Sequence, residues 1–165
     1  MHITGPWPIK KIENYESKNK GAFNMILYNN TLDGIRADHL KGFFVDWPNP
    51  PSTAKHYELL EKSSYIWLAV DPQTEDVVGF ITAISDGVLA AYIPFLEVLP
   101  EYKERGIGKK LMTNMLSTLD KYYMIDLLCD ENLQGYYEQF KMLKTQGMVI
   151  RNYQNQSGKE AVLKI

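Results

Sequence analysis

Cysteine is almost absent from this chain. The single one, Cys129, excludes an internal disulfide, and it shares no zinc-like spacing with the three scattered histidines, His2, His39 and His56. Net charge is nearly absent too: 18 Lys and Arg stand against 20 Asp and Glu, so no broad basic surface offers itself to nucleic acid or an anionic membrane. Long apolar runs are missing, with nothing approaching the ~18 consecutive apolar residues of a membrane span. The opening stretch "MHITGPWPIKKIENYES" lacks the apolar segment of a secretory leader. No internal repeat, low-complexity tract or Gly/Ser linker divides the sequence. These absences predict a soluble, cytoplasmic protein without metal, nucleic-acid or membrane partner. Its 165 residues suffice for one domain around one core. Residues 1–22, with two prolines and a Lys/Asn/Glu/Ser run, read as a loosely attached arm, and residues 23–165 as the domain.

Within that domain, "FNMILYN" reads as a short strand, and "LDGIRADHLKGFF" spaces its apolar residues close to a helical period, interrupted by Gly34 and Gly42. "DWPNPPS" breaks any helix, after which Ser52 or Thr53 caps a second one running to about Ser63. Three apolar runs follow, "YIWLAVD", "VVGFITAIS" and "VLAAYIPFLEVL", with a tight Asp86-Gly87 hairpin between the last two, and they predict an antiparallel meander. "IGKKLMTNMLSTLDKYY" places Leu111, Met115, Leu116 and Leu119 on one helical face. "YMIDLLCD" is a further strand, "LQGYYEQF" a short helix, and "MLKTQGMVIRNY" a bent last strand or strand pair. This order predicts a layered α/β (α+β) fold with a mixed sheet.

The turn between the third meander strand and the next helix, "LPEYKERGIGKK", carries the densest signal. It is not a Walker A loop, because Lys110 stands where Ser or Thr is required and no glycine lies five residues before Gly108. It is not a dinucleotide fingerprint either, since Leu111 occupies the third glycine position. A strand that feeds a glycine turn and a helix N-terminus does, however, form a cradle of backbone amides for an anion. Gly106 and Gly108 would let a pyrophosphate approach, and Lys103, Arg105, Lys109 and Lys110 would surround it with positive charge. An ordinary strand-to-helix turn with a solvated charged face fits the same residues.

The spacing of this turn resembles the GNAT acetyltransferase superfamily, over roughly residues 23–153. The superfamily pattern is a strand ending L-x-V-x-P followed by Q/R-x-x-G-x-G/A, and this chain has Leu96, Val98, Pro100, Gly106 and Gly108 in place, with Lys103 where Gln or Arg is usual. The second superfamily motif is similar to "LLCDENLQGYYEQFKM", which supplies Asp130, Tyr136, Tyr137 and Met142, with Lys141 in place of a glycine. The resemblance implies a mixed, mostly antiparallel central sheet with helices on both faces, and acetyl-CoA as the acyl donor, with CoA as product. The pyrophosphate would lie on the amides of Lys103, Glu104, Arg105, Gly106, Ile107, Gly108 and Lys109. The pantetheine arm would pair along Leu96 to Val98 like an added strand, with Asp130 and Tyr137 nearby.

The implied reaction is acetyl transfer to an amine by direct attack on the thioester. Tyr137 would protonate the departing sulfur, and Glu97 is the candidate base beside the thioester. Tyr92 falls where some members carry a carboxylate base, Asp126 is a second acidic candidate inside an apolar strand, and Cys129 reads as a small strand residue. The acceptor wall would come from "FFVDWPNPPS", where Phe44, Asp46 and Trp47 make an aromatic and acidic pocket for a cationic amine. Arg151 would stand near the end of the sheet. The expected acceptor is a small-molecule primary amine, with a protein or peptide amine, or a non-catalytic acyl-CoA-binding module, as alternatives. A homodimer is compatible with the resemblance.

Overall fold

The computed structural model describes residues 25–158, so the arm expected at residues 1–22 lies outside the described residues. The elements in chain order are β1 (Leu27–Asn29), α1 (Thr53–Lys62), β2 (Tyr65–Val70), β3 (Val77–Ser85), β4 (Ala90–Val98), α2 (Ile107–Thr118), β5 (Met124–Leu127) and α3 (Gln134–Glu138). The five strands form one sheet in sequence order, antiparallel from β1 to β4, with β4 and β5 parallel.

The centre of the sheet is covered on both faces, which explains why β3 is a near-continuous apolar run and not an alternating one. Gly79 and Phe80 are neighbours on β3 and therefore face opposite ways. A Cβ on Gly79 would stand 3.2 Å from both Ile107 and Leu111, so α2 packs on that face. The Phe80 ring meets His56 of α1 and Phe43 on the other, at 4.4 and 5.1 Å between ring centroids. Residues Ile107, Leu111, Met112 and Met115 are the buried stripe of α2, continued by Leu119 just past its end, and Trp67 of β2 ties to this helix by donating to Thr118 at 2.9 Å. Helix α1 starts where its sequence says, with the Ser52 hydroxyl accepting from the Lys55 amide. Among the described residues no helix is long and apolar enough to cross a membrane, and no cluster of three potential metal ligands occurs.

Four expectations are corrected. The segment "LDGIRADHLKGFF" forms only a single 3-10 turn, Ala37–His39, because Gly34 and Gly42 take φ of 77° and 84° and so interrupt any longer helix. The hairpin after β3 is a four-residue loop, not a two-residue turn: the Asp86 carboxylate collects the amides of Val88 and Leu89 within the loop and of Ala90 at the start of β4. Helix α2 ends at Thr118, short of the expected tyrosines, and Tyr122 turns back to bond Tyr65 at 2.6 Å. Finally, no strand forms from residues 142–153 among the described residues. A strand needs a paired neighbour, and here Leu143, Met148 and Ile150 are 91%, 99% and 95% exposed.

Candidate active site

The parallel pairing of β4 with β5 runs from Ala90 opposite Met124 to Ile93 opposite Leu127 and then stops. Pro94, which has no N–H to give, follows at that point, and on the other side β4 slips register against β3 between Thr82 and Ile84. Beyond this break the remainder of β4 keeps only its β3 partner. The Leu99 amide donates to Val78 on β3, so by strand alternation the amides of Val98 and Leu96 point the other way, toward the opened edge. The backbone thus offers two unused donors along a cleft between β4 and β5.

The chain leaves this edge through Leu99 and Pro100 and reaches α2 by the glycine turn. Gly106 sits immediately before the helix at φ 75°, and Glu104 is also left-handed at φ 62°. The first intrahelical acceptor is used by Lys110, which donates to the Gly106 carbonyl at 3.0 Å, leaving the amides of Ile107, Gly108 and Lys109 at the helix N-terminus without intrahelical partners. No side chain caps them. Gly108 has a different role from Gly106: a Cβ there would lie 3.1 Å from the Tyr136 hydroxyl, so its absence lets α3 close on α2. Of the expected cations, Lys103, Lys109 and Lys110 are exposed around the turn. Arg105 folds back, its guanidinium 4.7 Å from the Tyr102 ring centre and donating to the Glu101 carbonyl at 2.8 Å. Tyr102 in turn donates to the buried Asp71 carboxylate at 2.8 Å. The turn is braced from the β2–β3 connection, a contact that no local sequence pattern announces.

A groove of about 660 Å³ occupies the β4/β5 split. Leu96 and Glu97 line it from β4, Asp130 and Tyr137 from the segment after β5, and Phe44 and Trp47 from the loop before α1. Burial pushes the Tyr137 phenol up to about 12, helped by the neighbouring Tyr136 and Cys129, so it stays protonated at neutral pH and is available as a proton donor. Tyr136 is the more structural of the pair, as its hydroxyl is buried against Gly108. Cys129 is half-buried in the groove wall, and Arg151 borders the groove from the exposed segment after α3.

Glu97 pairs with Phe80 across the sheet and so projects to the α1 face. There its two carboxylate oxygens accept from the amides of Phe44 and Val45, at 2.9 and 3.1 Å. Phe44 is buried among the rings of Trp47, His56, Phe80 and Phe95, with centroids 4.9 to 5.9 Å away. Asp46 is exposed at φ 64° and is not part of the groove lining. Tyr92 and Asp126 face each other across the parallel strands and line a separate, shallow depression, and Asp126 is solvent-exposed, so the cost of a buried carboxylate does not arise.

The free strand amides, the uncapped helix N-terminus and the lysines around it fit the pantetheine and pyrophosphate parts of a coenzyme A thioester in chemistry and in order along the chain. The profile of the acetyltransferase (GNAT) family matches residues 32–142. Among solved structures, a protein of Deinococcus radiodurans R1 assigned as an acetyltransferase is similar at 36% identity and a TM-score of 0.80, over 88% of this chain and 100% of that one. A GNAT family acetyltransferase from Streptococcus pneumoniae TIGR4 is similar at 28% identity and a TM-score of 0.62, over 78% and 98%. The fold is shared, at 16% identity and a TM-score of 0.57 over 78% and 94%, with an aminoglycoside N-acetyltransferase in complex with CoA. No curated protein matches the sequence significantly. With more than half of its length inside the family profile, this chain belongs to the acetyltransferase (GNAT) family and is an acyltransferase.

Proposed function

We propose that this protein transfers the acetyl group of acetyl-CoA to a small-molecule primary amine. The observation that carries the proposal is the opened edge of β4, whose Leu96 and Val98 amides lead directly into the uncapped N-terminus of α2. Acetyl-CoA supplies the activated thioester. The chain's own part is to bind, orient and move protons. The amides of Ile107, Gly108 and Lys109 and the exposed Lys103 and Lys109 hold the diphosphate, and the edge amides of β4 align the pantetheine arm. The Val98 amide is the donor toward which the thioester oxygen is directed.

Tyr137 delivers the proton that the departing thiolate takes up. The balance is closed within the reaction: the amine loses one proton on becoming an amide, the sulfur gains one, and water in the open groove restores Tyr137. A base is then required only to strip an acceptor that arrives as an ammonium ion. Trp47 walls the acceptor side of the groove and gives an amine an aromatic surface, with the buried Phe44 packed behind it.

Replacing Tyr137 with Phe tests the assignment. Turnover of acetyl-CoA with a responsive amine is expected to fall roughly 10- to 1,000-fold, with acetyl-CoA affinity unchanged. Unaltered turnover removes Tyr137 from the chemistry. Intact CoA binding with no transfer from the wild type across a broad amine panel favours an acyl-CoA-binding module instead.

A further inference from the structure

Glu97 was expected to be a base, but its geometry suits another task. A base must turn a carboxylate oxygen toward the proton it removes, and in this structure both oxygens are turned to consecutive backbone amides of the loop before α1, 53 and 52 residues away in sequence. That loop does not hold its shape by local preference. Phe44 and Asp46 take φ of 60° and 64°, a left-handed region that disfavours a non-glycine residue, and one local bond, from the Trp47 amide to the Phe44 carbonyl at 3.2 Å, links the two ends of the turn. A bidentate carboxylate that receives two successive amides is a specific clamp for such a conformation. The clamp springs from the strand position between Leu96 and Val98, whose amides form the donor edge of the groove, while the clamped loop presents Phe44 and Trp47 to the same groove.

We infer that Glu97 is a positioning residue that fastens the acceptor-side loop, residues 44–47, to the acyl-donor strand, so that the acceptor wall is set at a fixed distance from the thioester site. The inference rests on the acetyltransferase reading of the groove, but the clamp itself is measurable without turnover. In the Glu97→Gln variant one oxygen is replaced by an NH₂ group. That group can only donate, so one of the two loop amides loses its acceptor and faces another donor. The loop then opens locally while the strand pairing of β4 with β3 stays intact.

The experiment compares wild type, Glu97→Gln and Glu97→Asp by hydrogen-exchange mass spectrometry on a peptide covering residues 41–50, with acetyl-CoA binding and amine kinetics measured on the same samples. Glu97→Asp keeps the charge but draws the oxygens back by one methylene, so it is expected to shift in the same direction. Exchange in this peptide is expected to rise about 10-fold or more in both variants, as loss of the acceptor for a part-buried loop amide implies. The acceptor KM is expected to rise about 10-fold with kcat lowered less than 3-fold and acetyl-CoA affinity within 2-fold of wild type, the pattern of lost ground-state positioning. Unchanged exchange overturns the clamp whatever the kinetics show. A fall in kcat of about 100-fold at unchanged acceptor KM, with the acidic limb of the pH profile removed, overturns it in favour of a base. If the wild type acetylates no amine, the acetyltransferase reading fails separately, and exchange alone decides the clamp.

Discussion

His56 gives the most quantitative consequence of this fold. Its ring is 1% exposed and lies among Phe43, Phe44 and Phe80, with centroids 5.2, 4.9 and 4.4 Å away, and neither ring nitrogen has a hydrogen-bond partner. Burial holds its pKa down at about 4, from an ordinary 6.5; the nearby Leu40 backbone favours the proton slightly without meeting hydrogen-bond geometry at either nitrogen. The folded state therefore keeps His56 neutral in a pH range where the unfolded chain protonates it. Above pH 6.5 neither state is charged and full stability is present; as pH falls from 6.5 toward 4 the unfolded state gains the proton first and stability is lost. At ~1.4 kcal/mol per pH unit, the gap amounts to about 3 kcal/mol by pH 4, or roughly 6–12 °C in melting temperature for a chain of this size. The perturbation is His56→Phe, with His56→Leu as a smaller alternative should the larger ring overpack the site. The assay is thermal or urea unfolding at intervals from pH 7.5 to 4.5, comparing slopes and not absolute stabilities, because carboxylates titrate in all three proteins. The substituted proteins are expected to lose clearly less stability on acidification than the wild type. Parallel slopes would mean that the ring is not held neutral, and the argument from its unpartnered burial would fall.

Two further outcomes follow from the donor side. Gly106→Ala places a side chain at φ 75° with open space around it, so the cost is conformational: about 1 kcal/mol in urea unfolding, together with weaker acetyl-CoA binding as the helix N-terminus shifts. Equal affinity in the variant would separate the turn from the diphosphate. Tyr102→Phe withdraws a donor from the buried Asp71, whose carboxyl is held below the usual range first by the Gln73 amide and then by Tyr102. A stability loss of about 1–2 kcal/mol at pH 7 is expected, and it diminishes as the pH falls far enough to protonate Asp71 in the wild type.

The sequence made the framework legible where the signal was periodic or local. Apolar spacing found α2 and the meander strands, and Ser52 marked the start of α1, because each depends on residues within one or two turns of each other. The glycine turn itself was legible, and its two glycines are needed for different reasons: one for its left-handed backbone, the other for the approach of Tyr136. What stayed hidden depended on partners distant in sequence. Nothing near Glu97 foretells that its oxygens meet amides more than 50 residues earlier, and nothing near Tyr102 foretells Asp71. Residues 142–153 look like a strand or strand pair because two short apolar clusters, Met142–Leu143 and Met148–Ile150, flank a polar turn, yet a strand is completed only by a neighbour. The stretch from Leu32 to Phe44 carries helical spacing that Gly34 and Gly42 override.

Whether the β4 edge and the α2 N-terminus together hold a coenzyme A thioester is decided by thermal unfolding with acetyl-CoA, CoA and ATP in parallel. A ligand present at ~100 times its dissociation constant adds about 2.7 kcal/mol, or roughly 5–11 °C for a chain of this length. Such a rise is expected with acetyl-CoA and with CoA, and little with ATP. No rise with either CoA species, or an equal rise with ATP, would contradict it.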